Sequence, residues 1–323
     1  MLPEGGGNGR SGDEVPGPAP LLALVGATAS GKTEASLPIA EQLDAEIVCV
    51  DSMLVYRGMD VGTAKPTAAD RSKVRHHLLD LVDPDEAFSV TAFQSVATGS
   101  ISDIASRGRV PFLVGGSGLY FRSVADGLVF PATEPPTRQL LEAEALVLGP
   151  RAMHRRLESF DPDAAGRIEP GNARRTIRAL EVAAITGRAF STFAAGWQRY
   201  PTSIRVAGVE VPRAAHHRRI EERVRGMMPD LLAETKLLRE RGFGSFVTSS
   251  QAIGYAEAAE CLAGSIGEDE AAARIIRRTK GLARRQMAWF RRDPRVRWFC
   301  AGDDGAAGVV PELIDYLSGT GGM

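Results

Sequence analysis

A phosphate-binding loop preceded by a buried strand constrains this chain more than any other feature. Residues 26–33 read Gly-Ala-Thr-Ala-Ser-Gly-Lys-Thr, and they follow the apolar run Leu-Leu-Ala-Leu-Val of residues 21–25. In the pattern G-x-x-x-x-G-K-[ST], glycines let successive backbone N–H groups point at phosphate oxygens beside a helix N-terminus. Lys32 adds a positive charge, and Thr33 adds a hydroxyl able to hold Mg²⁺. A glycine-rich turn without a ligand would leave Lys32 and Thr33 unexplained, so the loop predicts phosphate binding.

The segments after the loop alternate between strand and helix patterns. Residues 46–51 and 110–114 are short apolar runs typical of buried strands, and residues 88–107 have helical spacing. This alternation predicts an α/β fold, a P-loop NTPase-like parallel sheet flanked by helices. In such sheets ligands lie beyond the carboxyl ends of the strands. The phosphate loop, Asp51 and the glycine-rich residues 115–118 are therefore expected to converge in one cleft.

An all-helical insertion is expected in the middle of the chain. Residues 137–199 have only helical patterns, and residues 204–211 then return as a strand. We expect a P-loop core interrupted by a helical insertion, with the core at residues 21–132 and 201–301 and the insertion at residues 133–200.

The two ends of the chain are expected to be tails. Residues 1–20 are rich in glycine and proline and lack the apolar segment of a signal peptide, which predicts a disordered tail. Residues 302–323 are expected to form a C-terminal tail. Two long helices are predicted before this tail, at residues 216–241 and 269–291. The first is expected to be interrupted at Gly226 or Pro229.

The composition is that of an ordinary globular protein. Of 323 residues, 44% are hydrophobic. No apolar stretch approaches the roughly 20 residues that cross a bilayer. Cys49, Cys261 and Cys300 form no C-x-x-C pair, so neither a disulfide framework nor a zinc site is expected. We expect a cytoplasmic monomer with no membrane partner.

Positive charge is concentrated in three arginine-rich groups, although the formal net charge is only −1. Between Arg274 and Arg297 there are ten basic residues and one acid, Asp293. The other two groups are Arg174, Arg175 and Arg178, and Arg213, Arg218, Arg219, Arg223 and Arg225. Clusters of one sign favour a polyanionic partner such as a nucleic acid.

Asp51 follows the second apolar run and allows three interpretations. It could hold a metal ion, as in ordinary phosphate-loop NTPases. It could act as a general base. It could also cap the next turn with no role in chemistry.

Six motifs in order resemble the tRNA dimethylallyltransferase family over roughly residues 21–300. The first is the phosphate loop itself. The others are Asp51-Ser-Met-Leu-Val-Tyr-Arg-Gly-Met-Asp-Val-Gly-Thr-Ala-Lys-Pro66, His77-Leu-Leu-Asp80, Leu113-Val-Gly-Gly-Ser-Gly-Leu-Tyr120, Gln251-Ala-Ile-Gly-Tyr255 and Arg284-Arg-Gln-Met-Ala-Trp-Phe-Arg291. The chain has no C-terminal Cys/His zinc-finger extension and thus resembles the bacterial form.

The resemblance implies transfer of a dimethylallyl group from its diphosphate to N6 of the adenosine 3′-adjacent to the anticodon. Asp51 resembles the family's general base, and Lys32 and Thr28 are expected to contribute to catalysis. The diphosphate is expected to bind the loop, with a Mg²⁺ cofactor held near Thr33. The loop residues are Gly26, Ala27, Thr28, Ala29, Ser30, Gly31, Lys32 and Thr33. Nucleotides such as ATP are also conceivable loop ligands.

The resemblance also implies a surface for the tRNA anticodon stem-loop. The residues expected on it are Asp51, Ser52, Met53, Leu54, Ser117, Arg138, Arg174, Arg175, Thr176, Ile177, Arg178, Gln251, Arg284, Arg285, Gln286 and Arg291. The chain departs from many family members at Leu54, where they have Gln, and at Ser117, where they have Thr.

Simpler interpretations stay open for several of these residues. Trp289 and Phe290 could be helix-packing residues or base-stacking ones. Arg174 and Arg178 lie four residues apart and could be a solvated helix face. Ser117 could be a helix N-cap. The five histidines have no metal-ligand spacing.

Two rival functions use the same loop. In a nucleotide or small-molecule kinase the loop would hold ATP, and Asp51 would hold metal or orient a hydroxyl. A nucleic-acid-binding NTPase would need a separate acid after the strand at residues 110–114, which instead ends in glycines. Neither rival accounts for the full motif series.

Overall fold

A parallel β-sheet of six strands forms the centre of the protein in the part that the structure, a computed structural model, describes: residues 21–244 and 248–319. The strands are Leu21–Gly26 (β1), Ala45–Cys49 (β2), His76–His77 (β3), Val110–Gly115 (β4), Ile204–Glu210 (β5) and Val296–Cys300 (β6). Their order across the sheet is β3-β2-β4-β1-β5-β6, and every pairing is parallel. The predicted α/β class is confirmed. The expected tail at residues 1–20 lies outside the described residues.

Helices cover both faces of this sheet. In chain order they are Lys32–Gln42 (α1), Ala68–Lys73 (α2), Val90–Ser106 (α3), Gly118–Ala125 (α4), Pro135–Leu148 (α5), Pro150–Phe160 (α6), Pro162–Ala165 (α7), Ala173–Thr186 (α8), Arg213–Glu240 (α9), Tyr255–Leu262 (α10), Glu268–Phe290 (α11) and Val310–Ser318 (α12). No helix among the described residues is long and apolar enough to span a membrane.

The sheet separates two hydrophobic cores because successive strand side chains point to opposite faces. In β1, Ala23 and Val25 belong to the core that includes residues of α3, α4, α9 and α11. Leu22 and Leu24 belong to the other core, with residues of α1 and α12. Helices α9 and α11 therefore lie on one face, close to the carboxyl ends where the phosphate loop begins.

Helix α9 runs without the interruption that we predicted at Gly226 or Pro229. Its buried residues Ile220, Val224 and Leu231 recur at helical spacing through this region. Packing of that stripe holds the helix together where local propensity would break it. One helix thus spans from the phosphate loop to the loop that follows Asp51.

The segment between α4 and β5 is helical throughout its regular elements, α5 to α8 and a 3₁₀ helix at Phe190–Gln198. It has a core of its own around Met153, Leu157 and Leu180. Within that core the buried carboxylate of Glu181 pairs with Arg178 at 2.7 Å and with Arg138 at 2.8 Å.

The C-terminal segment differs from the tail that we expected at residues 302–323. A 3₁₀ helix at Gly305–Val309 leads into α12, whose Leu313 and Leu317 are buried. The backbone N–H of Ala306 donates to the Ser30 carbonyl at 2.9 Å. This segment is therefore packed on the core and contacts the phosphate loop.

Candidate active site

The phosphate loop joins β1 to α1 and is shaped by unusual backbone angles. Ala29 has φ +62° and Gly31 has φ +86°, both in the left-handed region. A Cβ at Gly31 would lie 2.9 Å from the backbone nitrogen of Ala306, so only glycine fits there. The Lys32 ammonium donates back to the Ala27 carbonyl at 2.6 Å, which places it inside the curve of the loop.

Side chains from α9 and α11 hold the loop from outside. Gln286 accepts from the Thr28 N–H at 2.8 Å, and His216 Nε2 lies 2.8 Å from the Thr28 carbonyl. Arg219 donates to the Ala29 carbonyl at 3.1 Å. The loop conformation is thus fixed by elements far away in sequence as well as by its own glycines.

A cavity of about 500 Å³ lies against the loop, and we call it the phosphate cavity. Its walls combine the loop with residues from β2, β4 and α9. These include Thr28, Ala29, Gly31, Lys32, Thr33, Asp51, Leu54, Gly115, Gly116, Arg219 and Arg223. The predicted convergence of the loop, Asp51 and the glycine run on one cleft is confirmed.

Lys32 is positively charged in this cavity but only moderately basic. Burial lowers its pKa to about 8, and the neighbouring positive charge of Arg223 acts in the same direction. The negative charges of Asp51 and Glu34 oppose that shift. A bound anion would stabilise the charged ammonium, so the cavity favours a negatively charged ligand.

Asp51 lies at the end of β2, with a carboxylate that accepts from the Met53 N–H at 2.9 Å. Withdrawal from water raises its pKa above the ordinary value. The Met53 hydrogen bond and the charges of Lys32 and Arg223 limit the rise. A carboxylate with a raised pKa, beside a cavity, has the properties of a general base.

A second cavity of about 790 Å³ adjoins the first, and we call it the arginine cavity. The two share lining residues, among them Thr28, Asp51, Arg223 and Gln286. Six arginines line the arginine cavity: Arg174, Arg175, Arg223, Arg277, Arg278 and Arg285. An anion-binding loop and a strongly basic cleft therefore meet at one carboxylate.

Residues 54–293 match the sequence pattern of the IPP transferase family, and residues 19–85 match that of isopentenyl transferases. The chain belongs to the IPP transferase family.

Individual members of the family support the same assignment. A tRNA dimethylallyltransferase of Salinispora tropica is 46% identical to this chain, over 91% of each sequence. The full-length tRNA isopentenylpyrophosphate transferase from Bacillus halodurans superposes with a TM-score of 0.68 at 39% identity, over 93% of this chain and 96% of that one. A eukaryotic dimethylallyltransferase acting on tRNA superposes with a TM-score of 0.77 over 93% of this chain and 80% of that one. Its 23% identity supports the fold alone. The resemblance drawn from the motifs is confirmed.

Most of the expected tRNA-facing residues of this IPP transferase line the joined cavities. Leu54 lines the phosphate cavity, and the arginine cavity is lined by Ser52, Met53, Ser117, Arg174, Arg175, Gln251, Arg285 and Gln286. Arg174 donates to the Gln251 amide oxygen at 2.8 Å, which links the helical insertion to the core. Ser117 occupies the N-cap position of α4, but its side chain makes no capping hydrogen bond.

Four expected residues of the insertion lie elsewhere. Thr176 and Ile177 are buried within the protein, which corrects their assignment to an RNA-facing surface. Arg138 and Arg178 line neither cavity, and both are paired with the buried Glu181. Arg178 also donates to the carbonyls of residues 131 and 132. Their interactions hold the insertion together.

Arg284 and Arg291 lie in a separate groove behind the phosphate loop, lined also by Ala27, Ser30 and His216. The reason is helical geometry. Arg284 and Arg291 lie seven residues apart on one face at the end of α11, whereas Arg278, Arg285 and Trp289 share another face. Arg277 lines both spaces. The motif at residues 284–291 therefore divides between two surfaces.

Arg219 and Arg223 were not assigned to the site from the sequence, yet both line the phosphate cavity. Arg223 also approaches the Thr28 hydroxyl at 3.4 Å. With His216 they follow spacings of three and four residues, so they lie on one face of α9. That spacing was the signal available in the sequence.

The loop that follows Asp51 is clamped by Glu234 of α9. Its carboxylate accepts from the N–H groups of Asp60 at 2.8 Å and Val61 at 2.9 Å. The Tyr255 hydroxyl donates to the same carboxylate at 2.6 Å. Gly62 packs on the Tyr255 ring so closely that a Cβ would lie 2.5 Å from it.

Proposed function

We propose that this IPP transferase transfers a dimethylallyl group from dimethylallyl diphosphate to N6 of the adenosine 3′-adjacent to the anticodon in tRNA, releasing diphosphate. The observation that carries the proposal is that Asp51 lines both the phosphate cavity and the arginine cavity. A diphosphate on one side and an RNA base on the other would meet at this carboxylate.

The phosphate loop suits a diphosphate leaving group. As the bond from C1 of the dimethylallyl group to the diphosphate oxygen breaks, negative charge grows on the departing oxygens. Preorganised cations and N–H groups stabilise such charge. Lys32, Arg219 and Arg223 would supply the cations in the phosphate cavity, and the backbone of residues 31–33 would supply N–H groups. Thr28 contributes a hydroxyl at the boundary of the two cavities.

Asp51 suits the role of the base. The exocyclic amine of adenine is a poor nucleophile because its lone pair is delocalised into the ring. As N6 forms its bond to C1, Asp51 would take the proton that N6 loses. Its pKa is raised by burial, which strengthens the carboxylate as a proton acceptor.

The arginine cavity suits RNA. An adenosine within an anticodon loop must be flipped out of its stack to reach an enclosed site, at a cost of a few kcal/mol. Contacts to RNA phosphates from arginines of this cavity, such as Arg174, Arg175 and Arg285, would offset that cost. The allylic centre gains positive charge during transfer, and a base seated in the cleft would keep water away from it.

The residues present also fit a Mg²⁺ ion that arrives with the diphosphate. No group of three or more His, Cys, Asp or Glu among the described residues could hold a metal on its own. Mg²⁺ is commonly held by one or two protein oxygens, substrate phosphates and waters. Thr33 offers a hydroxyl oxygen in the phosphate cavity. When bound, the ion would neutralise charge on the diphosphate.

Nucleoside mass analysis tests the proposal. Unmodified tRNA is incubated with purified enzyme, Mg²⁺ and dimethylallyl diphosphate, then digested. We expect one adenosine per substrate tRNA to gain a C5H8 unit, mapped to the position 3′ of the anticodon. ATP turnover without prenyl transfer would overturn the proposal and favour the kinase or NTPase alternative.

A further inference from the structure

A third cavity, of about 390 Å³, lies beside the arginine cavity and takes no part in the proposed transfer. We call it the aromatic pocket. Its walls include five aromatic side chains: Phe121, Trp197, Tyr200, Trp289 and Phe290. Its volume falls in the range of roughly 300–1,000 Å³ that small-molecule sites occupy.

The aromatic pocket is continuous with the arginine cavity. Gly118 and Trp289 line both. A Cβ at Gly118 would lie 2.8 Å from Trp289 Cβ, so α4 and α11 touch at this point and the indole forms the boundary between the two spaces. A strand of RNA seated in the arginine cavity would therefore reach the pocket at Trp289.

Trp289 is unusually exposed for its size, at 38% of its surface. By contrast, Phe121 and Phe290 are almost completely buried and pack edge to face at 5.9 Å. These two rings form a rigid floor, whereas the indole is available to a ligand. Exposed aromatic rings beside a basic groove are the usual stacking platforms for unpaired bases.

The charge of the pocket favours an electron-rich ligand. The guanidinium of Arg122 lies 4.0 Å from the centre of the Tyr200 ring. Arg292 is exposed at the pocket, and the Tyr200 hydroxyl donates to its carbonyl at 2.9 Å. The one acid that lines the pocket, Asp293, is paired with Arg295 at 2.7 Å. Arg122 is buried and paired with Asp126, so among the described lining residues the exposed Arg292 supplies the positive charge, beside aromatic faces and without an uncompensated carboxylate.

We propose that the aromatic pocket binds a second unstacked nucleobase, that of a nucleotide next to the target adenosine, with Trp289 as its stacking platform. The inference rests on the proposed function, since it takes the RNA in the arginine cavity as its starting point. Holding a neighbouring base apart would keep the target adenosine unstacked and would offset part of the cost of flipping it.

The test uses anticodon stem-loop RNA that carries the fluorescent base 2-aminopurine immediately 5′ or 3′ of the target adenosine. With wild-type enzyme, we expect binding to quench the fluorescence at one of the two positions, because the base stacks on Trp289. Trp289→Ala should abolish that quenching and weaken RNA binding by roughly 5- to 150-fold, the range for losing one base–aromatic stack. Trp289→Phe should restore most of both signals.

Phe160→Ala is the matched control, because Phe160 is another exposed aromatic ring and lies on α6 of the insertion. It should leave quenching and affinity unchanged. Trp289→Ala with unaltered quenching and affinity would overturn the proposal, and so would an absence of quenching at both positions with wild-type enzyme. Prenyl transfer to the unsubstituted stem-loop separates the two proposals. If transfer occurs but neither 2-aminopurine RNA is quenched, only the pocket proposal is refuted. If transfer does not occur, the proposed function is refuted.

Discussion

Gln286 on α11 accepts a hydrogen bond from the backbone N–H of Thr28 at 2.8 Å, across 258 residues of sequence. Its side chain is largely buried and lines both the phosphate cavity and the arginine cavity. The helix that supplies basic residues to the arginine cavity thus also fixes the conformation of the phosphate loop. The two halves of the proposed reaction share one structural support.

The first prediction concerns this support. Gln286→Leu keeps the approximate volume but leaves the Thr28 N–H without its partner, at a cost of about 1–3 kcal/mol. We expect the KM for dimethylallyl diphosphate to rise by roughly five- to a hundredfold, because the loop loses its binding conformation. Steady-state kinetics at saturating tRNA measure this. An unchanged KM would mean that the loop holds its shape without Gln286.

The second prediction concerns Glu234, which positions the loop following Asp51 and lines neither the phosphate cavity nor the arginine cavity. Glu234→Gln replaces one acceptor oxygen by an NH₂ group that faces backbone N–H donors. We expect kcat to fall by roughly tenfold or more, since small displacements of a catalytic group are costly, while both KM values stay near wild type. Glu240→Gln, at the exposed end of the same helix, is the control. If Glu234→Gln lowered the Tm but left kcat unchanged, the role of Glu234 would be purely structural.

The third prediction concerns pH. Asp51 must be ionised to accept a proton, and its pKa is raised, so activity should decline as the pH falls through that raised pKa. Lys32 must be protonated, and its pKa is lowered to about 8, so kcat/KM for the donor should decline above about pH 8. Bound diphosphate stabilises the ammonium, which should move the alkaline limb of kcat to higher pH than that of kcat/KM. If kcat and kcat/KM declined at the same alkaline pH, Lys32 would not be the group that binds the diphosphate.

The fourth prediction concerns the arginine cavity. Arg174→Ala with Arg175→Ala should reduce the slope of log tRNA affinity against log salt by about 2, or about 1 for each lost phosphate contact. Arg151→Ala with Arg155→Ala is the matched control, since both residues are exposed on α6 of the same insertion. Equal slopes for the two double variants would identify Arg174 and Arg175 as solvated residues.

Much of the fold could be predicted because local sequence determines it. The apolar runs of β1, β2, β4 and β5 are short and bounded by polar or glycine-rich residues, so each marks a buried strand. Strand β6 was missed because it follows a basic helix directly and has Arg297 within it. Only pairing with β5 makes it a strand. The packing of helix α12 on the core was also not predicted, because its burial depends on residues that are distant in the sequence.

The site could be predicted in part. The phosphate loop was found from its motif and Asp51 from its position after an apolar run. Their meeting in one cleft was predictable because strand ends in a parallel sheet converge. The distribution of arginines could not be resolved, because adjacent helix positions point in different directions. Arg285 lines the arginine cavity while Arg284 lies in the groove behind the loop. Arg178 was expected on the tRNA surface, but the buried Glu181, three residues further along the same helix, engages it.

The central claim is that Asp51 removes the proton from the adenine amine while the Lys32 loop holds the departing diphosphate. Single-turnover transfer by Asp51→Asn tests it most directly, with Asp85→Asn as an exposed control. We expect unchanged tRNA affinity and a transfer rate reduced by roughly 10²–10⁴-fold, the usual contribution of a general base. Transfer by Asp51→Asn at the wild-type rate would contradict it.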